Sequence, residues 1–194
     1  MQTLLFGLST AINWAVADIF IAHSTKTIKP MVAAAWVNFI GSVLFGIYYL
    51  LFIGNPITAV AIDGLWMSAL AGFFITVASA FFFIAVHRGP IGIVSALSST
   101  YPAVTLILAV SIFQATINLR QGIGFAMVLT GVVAAAGFHS TPKEGERFVL
   151  GHGTFPALVA ALCWGIGYAL LAQGVKLVGW QVATIVQFIV IATS

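Results

Sequence analysis

Residues 14–26 read WAVADIFIAHSTK, and residues 164–176 read WGIGYALLAQGVK. Both stretches open on Trp, carry Ala at the ninth place and close on Lys, at one offset of 150 residues. Extended without a gap over 4–40 and 154–190, the same register pairs Leu8 with Leu158, Ala11 with Ala161, Val32 with Val182 and Ala33 with Ala183. Apolar residues coincide easily, so the weight rests on the Trp and the Lys. A weak internal repeat in a strongly apolar chain is the mark of a duplicated membrane transporter.

Composition agrees. Hydrophobic residues make up 61% of the chain and charged residues 6%, with a mean hydropathy of +1.14. A soluble domain carries about 25% charged residues. This chain could not cover its surface in water, so it reads as an integral membrane protein whose first partner is the lipid bilayer. The net charge of +3 comes from basic residues near span ends or in loops. That is a topology signal and not a nucleic-acid footprint. The single cysteine, Cys163, lies in an apolar run and reads as a small buried residue. No basic region precedes the first apolar run, and Asn13, Trp14 and Asp18 interrupt it, which excludes a cleavable signal.

A spanning helix needs about 20 mostly apolar residues. Six stretches supply them, near 3–22, 31–53, 65–86, 91–113, 119–138 and 155–175. A seventh begins near Trp180 and is cut at Ser194, short of a comfortable span, so the chain reads as a fragment of a longer one. The runs lack the two-residue alternation of a barrel strand, so the fold class is all-α, a multi-pass helical bundle. Asp63 is expected to cap the third helix and Asn118, with Gln121, the fifth. Pro30 suits a first helical turn. Residues 139–153, HSTPKEGERFVLGHG, form the long polar connection between five spans in 1–138 and a second set starting in 154–194. Five is odd, so a second copy enters the membrane from the opposite face and forms an inverted repeat. Loops after odd-numbered spans carry Lys26, Lys29, Arg88, Lys143 and Arg147, and those after even-numbered spans only Arg120 and Lys176. Read literally, that puts the N-terminus outside.

Residues 85–90, AVHRGP, the run 95–105, SALSSTYPAVT, and 124–131, GFAMVLTG, resemble the EamA domain of the drug/metabolite transporter superfamily in order and spacing. The first span, with Asn13-Trp14 and Lys26, is similar to that domain's opening helix. The resemblance covers one complete five-helix unit and the start of another. It implies a ten-helix secondary carrier that moves a small organic solute, often outward, by alternating access. It also implies a cytoplasmic N-terminus, against the charge count. The family's Gly-Glu-Arg-like turn between helices four and five here reads QATIN over 114–118, without the acidic residue an ion pair there would need.

Asp18 is the one acidic side chain well inside a span, where an ionised carboxylate costs at least about 2.5–3.5 kcal/mol. Either it lines a solute path and binds a proton or a cationic group, or it meets water near the helix end beside His23 and Lys26. Its counterpart in the second copy is Tyr168. Ser95, Ser98, Ser99 and Pro102 form one helical stripe, read either as a packing seam or as a polar wall with a gating kink at Pro102. Trp14 and Trp164 lie deeper than an interface belt and are candidate opposite walls of one site. Asn13, Asn38, Thr76, Ser79, Tyr101 and Gln187 are further polar residues inside spans, whereas Trp66 and Trp180 look like belt anchors. The substrate-binding set is therefore Asn13, Trp14, Asp18, Ser95, Ser99, Tyr101, Trp164 and Tyr168, with Pro102 as the gate.

His23, His87, His139 and His152 have no second metal ligand at helical spacing, so no metal is expected. Neither a cofactor motif, a nucleophile elbow nor an ATP-binding loop occurs, so transport would draw on a gradient or run downhill. Two other readings stay open. One is a half-transporter or non-transporting subunit that pairs with itself or another EamA half. The other is an intramembrane enzyme, which would need clustered His, Asp or Cys. A cell membrane is the expected location, the inner membrane in a bacterium.

Overall fold

The computed structural model describes residues 2–53, 61–138 and 153–194. The expected boundary at 139–153, with His139, Lys143, Arg147 and His152, lies outside the described residues except for Gly153. The described residues form helices and no strand. They are α1 (Gln2–Ser24), α2 (Pro30–Tyr48, followed by a π-helical turn Tyr49–Ile53), α3 (Ile62–Arg88), α4 (Ile91–Ser98), α5 (Tyr101–Ser111), α6 (Leu119–Phe138) and α7 (Thr154–Thr193). Among them, five helical stretches are long and apolar enough to cross a membrane, counting α4 and α5 as one. α6 contributes a shorter apolar stretch, Leu119–Val132.

The helix ends follow local chemistry in part. Pro30 begins α2, where its missing N–H costs no helical bond. Asn118 accepts from the Gln121 N–H at 2.9 Å, while Gln121 accepts from the Asn118 N–H at 3.0 Å. That reciprocal pair is the capping box expected for the fifth span. Asp63 does not cap: α3 starts two residues earlier, with Ala61 at the N-cap and Asp63 inside the first turn. There its charge still suits the positive helix end.

α7 holds 40 residues, about 60 Å at 1.5 Å per residue, twice the roughly 30 Å of a hydrocarbon core. It is not one rod. At Gly179, φ is 78° and ψ is 158°, a backbone conformation essentially confined to glycine. The break separates a first arm, residues 154–178, from a second, residues 180–193.

Both arms lie on α3. Cβ atoms built on Gly167 and Gly174 would stand 3.3 and 3.2 Å from the Ala71 and Gly64 carbonyl oxygens, so the first arm runs antiparallel to α3. The first arm ends with Val178 against Gly64, and beyond the break the second arm brings Gln187 and Val190 against Gly72, so it runs back alongside α3 in the same sense. α7 is thus a helical hairpin astride α3. Small residues make the seam: Ala71, Ala78, Ala85, Ala157 and Ala160 are fully buried. Lipid tails are as apolar as any side chain, so helices associate in a bilayer by close packing of such residues.

The His87 ring donates from Nδ1 to the Thr25 carbonyl at 2.8 Å. This ties the C-terminal ends of α1 and α3 together, and the two helices run in the same sense. α1 and the first arm of α7 therefore run antiparallel. They meet where Trp14 and Trp164 touch edge to face, with centroids 6.2 Å apart. Phe45 of α2 stacks on Phe188 of the second arm at 4.5 Å. Apolar residues such as Phe20, Leu44, Phe52 and Met127 remain exposed, as expected of a lipid-facing surface.

Two glycines test this packing differently. A Cβ on Gly72 would lie 2.7 Å from the Gln187 carbonyl oxygen, whereas one on Gly122 meets nothing within 4 Å. Gly72→Leu should destabilise the protein by about 1–3 kcal/mol through overpacking, and Gly122→Leu should stay within about 0.5 kcal/mol of the parent. Unfolding in detergent measures both. Equal melting temperatures for the two variants would contradict the hairpin packing.

Candidate functional site

α1 carries Gly7, Thr10, Ala11, Trp14 and Asp18 at steps of three and four residues, which puts them on one helix face. This face bounds a cavity of about 420 Å³, within the size range of small-molecule sites. The remaining walls come from Phe82 of α3, the junction of α4 and α5, and the first arm of α7.

That junction is a true break. The expected span 91–113 divides after Ser98, and α5 restarts at Tyr101 with Pro102 in its first turn. Pro102 has no N–H to return to the Ser98 carbonyl, so the ladder fails there. Ser98, Ser99, Tyr101 and Pro102 consequently gather at the cavity wall. α5 is held against α7 by the Thr105 hydroxyl, which donates to the Gly165 carbonyl at 3.0 Å and to Tyr101 at 3.2 Å. A Cβ on Gly165 would stand 2.9 Å from the Tyr101 carbonyl oxygen, so the glycine after Trp164 permits the approach.

Trp164, only 7% exposed, is the hub of an aromatic wall. Its ring centroid lies 5.2 Å from Phe82, 6.1 Å from Tyr101 and 6.2 Å from Trp14. Tyr101 in turn lies 5.2 Å from Tyr168. One turn along α1 from Trp14, the Ser95 hydroxyl donates to Asp18 Oδ2 at 2.5 Å, joining α1 to α4. Ser98 donates to the Val94 carbonyl at 2.8 Å, and Thr10 to the Phe6 carbonyl at 2.8 Å. No Lys, Arg or His is among the described residues lining the cavity.

Trp14, Asp18, Ser95, Ser99, Tyr101, Pro102, Trp164 and Tyr168 all line this one cavity. Asn13 does not. One residue before Trp14 means a turn of about 100° around the helix, and its side-chain amide donates instead to the Ser9 carbonyl at 2.8 Å. Asn38 and Thr76 line a second, more apolar cavity of about 550 Å³ between α2, α3 and the second arm. Ser79 is buried, as is Gln187, whose Oε1 has no hydrogen-bond partner among the described residues. Gly7, Thr10, Ala15 and Phe82 also line the first cavity without having been singled out in the sequence. The helical step from Asp18 and Trp14 back along α1 points to Gly7 and Thr10, whereas nothing local marks Phe82.

Residues 1–137 match the EamA-like transporter family. This chain belongs to that family. As an EamA-like protein with several helices able to cross a bilayer, it is a multi-pass membrane protein. It is 28% identical over 176 residues to an uncharacterised transporter of Archaeoglobus fulgidus, covering 88% of this chain and 59% of that protein. The chain thus spans less than two thirds of that relative's length. An uncharacterised protein of Methanocaldococcus jannaschii is 27% identical over 130 residues, 67% of this chain and 93% of that protein. No solved structure matches.

Within this EamA-like unit, Ser99 is exposed at the cavity wall whereas Ser98 is 3% exposed, and the native Cys163 is buried. Ser99→Cys should therefore react readily with a water-soluble maleimide in detergent, while Ser98→Cys and the parent protein react slowly. Mass spectrometry of the modified protein reads this directly. Equal labelling at 98 and 99 would show that the cavity is not the route by which water reaches this helix break.

Proposed function

We propose that this chain belongs to a secondary carrier that moves a small organic solute across a cell membrane by alternating access. The cavity between α1 and α7 is its solute site. The observation that carries this reading is the meeting of the duplicated tryptophans. Trp14 and Trp164, equivalent in the internal repeat, touch across a cavity that also holds the Asp18 carboxylate. Trp14, Asp18, Ser95, Ser99, Tyr101, Trp164 and Tyr168 contact the solute. In inverted-repeat carriers the solute sits at the interface between repeats, near the bilayer midplane. The antiparallel crossing of α1 with the first arm supports residues 1–138 as one five-helix repeat and 154–194 as the start of a second. On this reading the described helices make six spans and the beginning of a seventh. The break at Pro102 supports its role as a gate, because a helix already divided can rock with little loss of hydrogen bonds. Asp18 offers a place for a coupling proton or ion. The protein is a carrier and not an enzyme.

One observation favours a second arrangement. The Methanocaldococcus relative is little longer than the 130 residues it shares with this chain, so a chain about as long as residues 1–138 occurs by itself among its relatives. Pairing of this chain with another copy, or with another EamA half, would complete the site in the same way.

Thermal-shift screening of the purified protein against amino acids, sugars, purines and organic amines tests the site. A ligand present at 100 times its dissociation constant stabilises by about 2.7 kcal/mol. The resulting rise in melting temperature should vanish in Ser99→Leu, which narrows the cavity, and persist in Trp36→Ala, which lines the second cavity. A ligand whose shift survives Ser99→Leu and Asp18→Asn alike binds elsewhere and would sink the assignment.

A further inference from the structure

We propose that this cavity selects singly charged organic amines with an aromatic or compact apolar body. The inference rests on the reading of the cavity as the solute site and adds the charge and shape of what enters it.

The charge follows from what lines the walls. Asp18 is the acidic residue there, with no Lys, Arg or His beside it among the described lining residues. A carboxylate inside a span normally faces a partner, and its hydrogen-bond donor here is the neutral Ser95 hydroxyl. A ligand ammonium would supply the missing positive charge together with N–H donors that form strong charge-assisted bonds. The hydroxyls along the cavity suit it as well. Ser95, Ser98 and Thr10 have each committed their hydrogen, to Asp18, Val94 and Phe6 respectively. Toward a ligand they can only accept, which matches an ammonium and mismatches a carboxylate or phosphate.

The shape follows from the aromatic wall. Trp14, Phe82, Tyr101, Trp164 and Tyr168 all reach the cavity, and Trp14 and Trp164 present ring planes inclined at 69° to each other. Such an arrangement offers both a ring face for a cation, within about 6 Å of a centroid, and ring edges for an apolar body. The Ser99, Tyr101 and Tyr168 hydroxyls remain for neutral polar groups on the ligand. An anionic group on the solute would meet Asp18 without any compensating cation among the described lining residues.

Three probes of similar shape and different charge decide it: 2-phenylethylamine, 2-phenylethanol and 3-phenylpropanoate, titrated calorimetrically into the purified protein at neutral pH. The amine should bind at least about tenfold more tightly than the alcohol, with the acid weakest, as expected for a desolvated charge pair plus a cation–π contact. Asp18→Asn should bring the amine to the level of the alcohol while leaving the alcohol's affinity within about twofold. Asp18→Glu, which keeps the charge, should retain the preference and guards against a variant that merely misfolds. Ser99→Leu should weaken all three. If the alcohol or acid matches the amine, or Asp18→Asn keeps the preference, the charge assignment fails while the cavity stands as a solute site. If binding of the probes is indifferent to Ser99→Leu, or none of them binds, the solute-site reading falls and this proposal with it.

Discussion

Close approach of α3 to the two arms of α7 is the contact on which the rest of the structure depends. In a bilayer there is no gain from removing apolar side chains from water, so helices hold together only where their surfaces fit. Gly64, Ser68, Ala71 and Gly72 on α3 face Gly167, Gly174, Val178 and Val190 on α7 with little between the backbones. Ser68 even returns its hydroxyl to the Gly64 carbonyl at 2.7 Å, so a polar side chain buried at this seam leaves no unpaired hydrogen. The seam sets the depth of Trp164 against Phe82, and with it the position of the aromatic wall.

A second constraint acts where a helix fails. Pro102 cannot return a hydrogen bond to Ser98, and the chain pauses at Ser99 and Thr100 before α5 begins. Backbone irregularity at membrane depth is tolerated where it is buried in protein or lines a polar cavity. Here it does the latter. The Thr105–Gly165 bond and the Ser95–Asp18 bond hold the two sides of the break to different helices, α5 to α7 and α4 to α1.

Much of this was legible from residue order. Apolar run lengths located the helices to within a few residues, because hydrocarbon thickness leaves a spanning helix little choice. The capping box at Asn118 and Gln121 was readable because its two hydrogen bonds are local. Asp63 misled, since a carboxylate suits both the N-cap and the first turn. Asn13 lies off the cavity for a local reason that residue order hides: adjacency to Trp14 in sequence is separation on a helix. Phe82 carried no signal, as its place at the cavity depends on which face of α3 meets Trp164.

The sequence by itself determined a membrane-embedded helical chain, a Trp-to-Lys pattern that recurs at an offset of 150 residues, and the polar side chains a spanning segment would not carry idly. Composition, period and covalent chemistry suffice for those, because each depends on a residue and its near neighbours. Only the tertiary structure decided that the two tryptophans touch, that Asp18 pairs with Ser95 across 77 positions, and that Gly179 folds α7 into a hairpin. Those outcomes depend on which surfaces fit most closely between segments far apart in the chain. Complementarity of that kind is a property of assembled shapes and is written in no single stretch of residues.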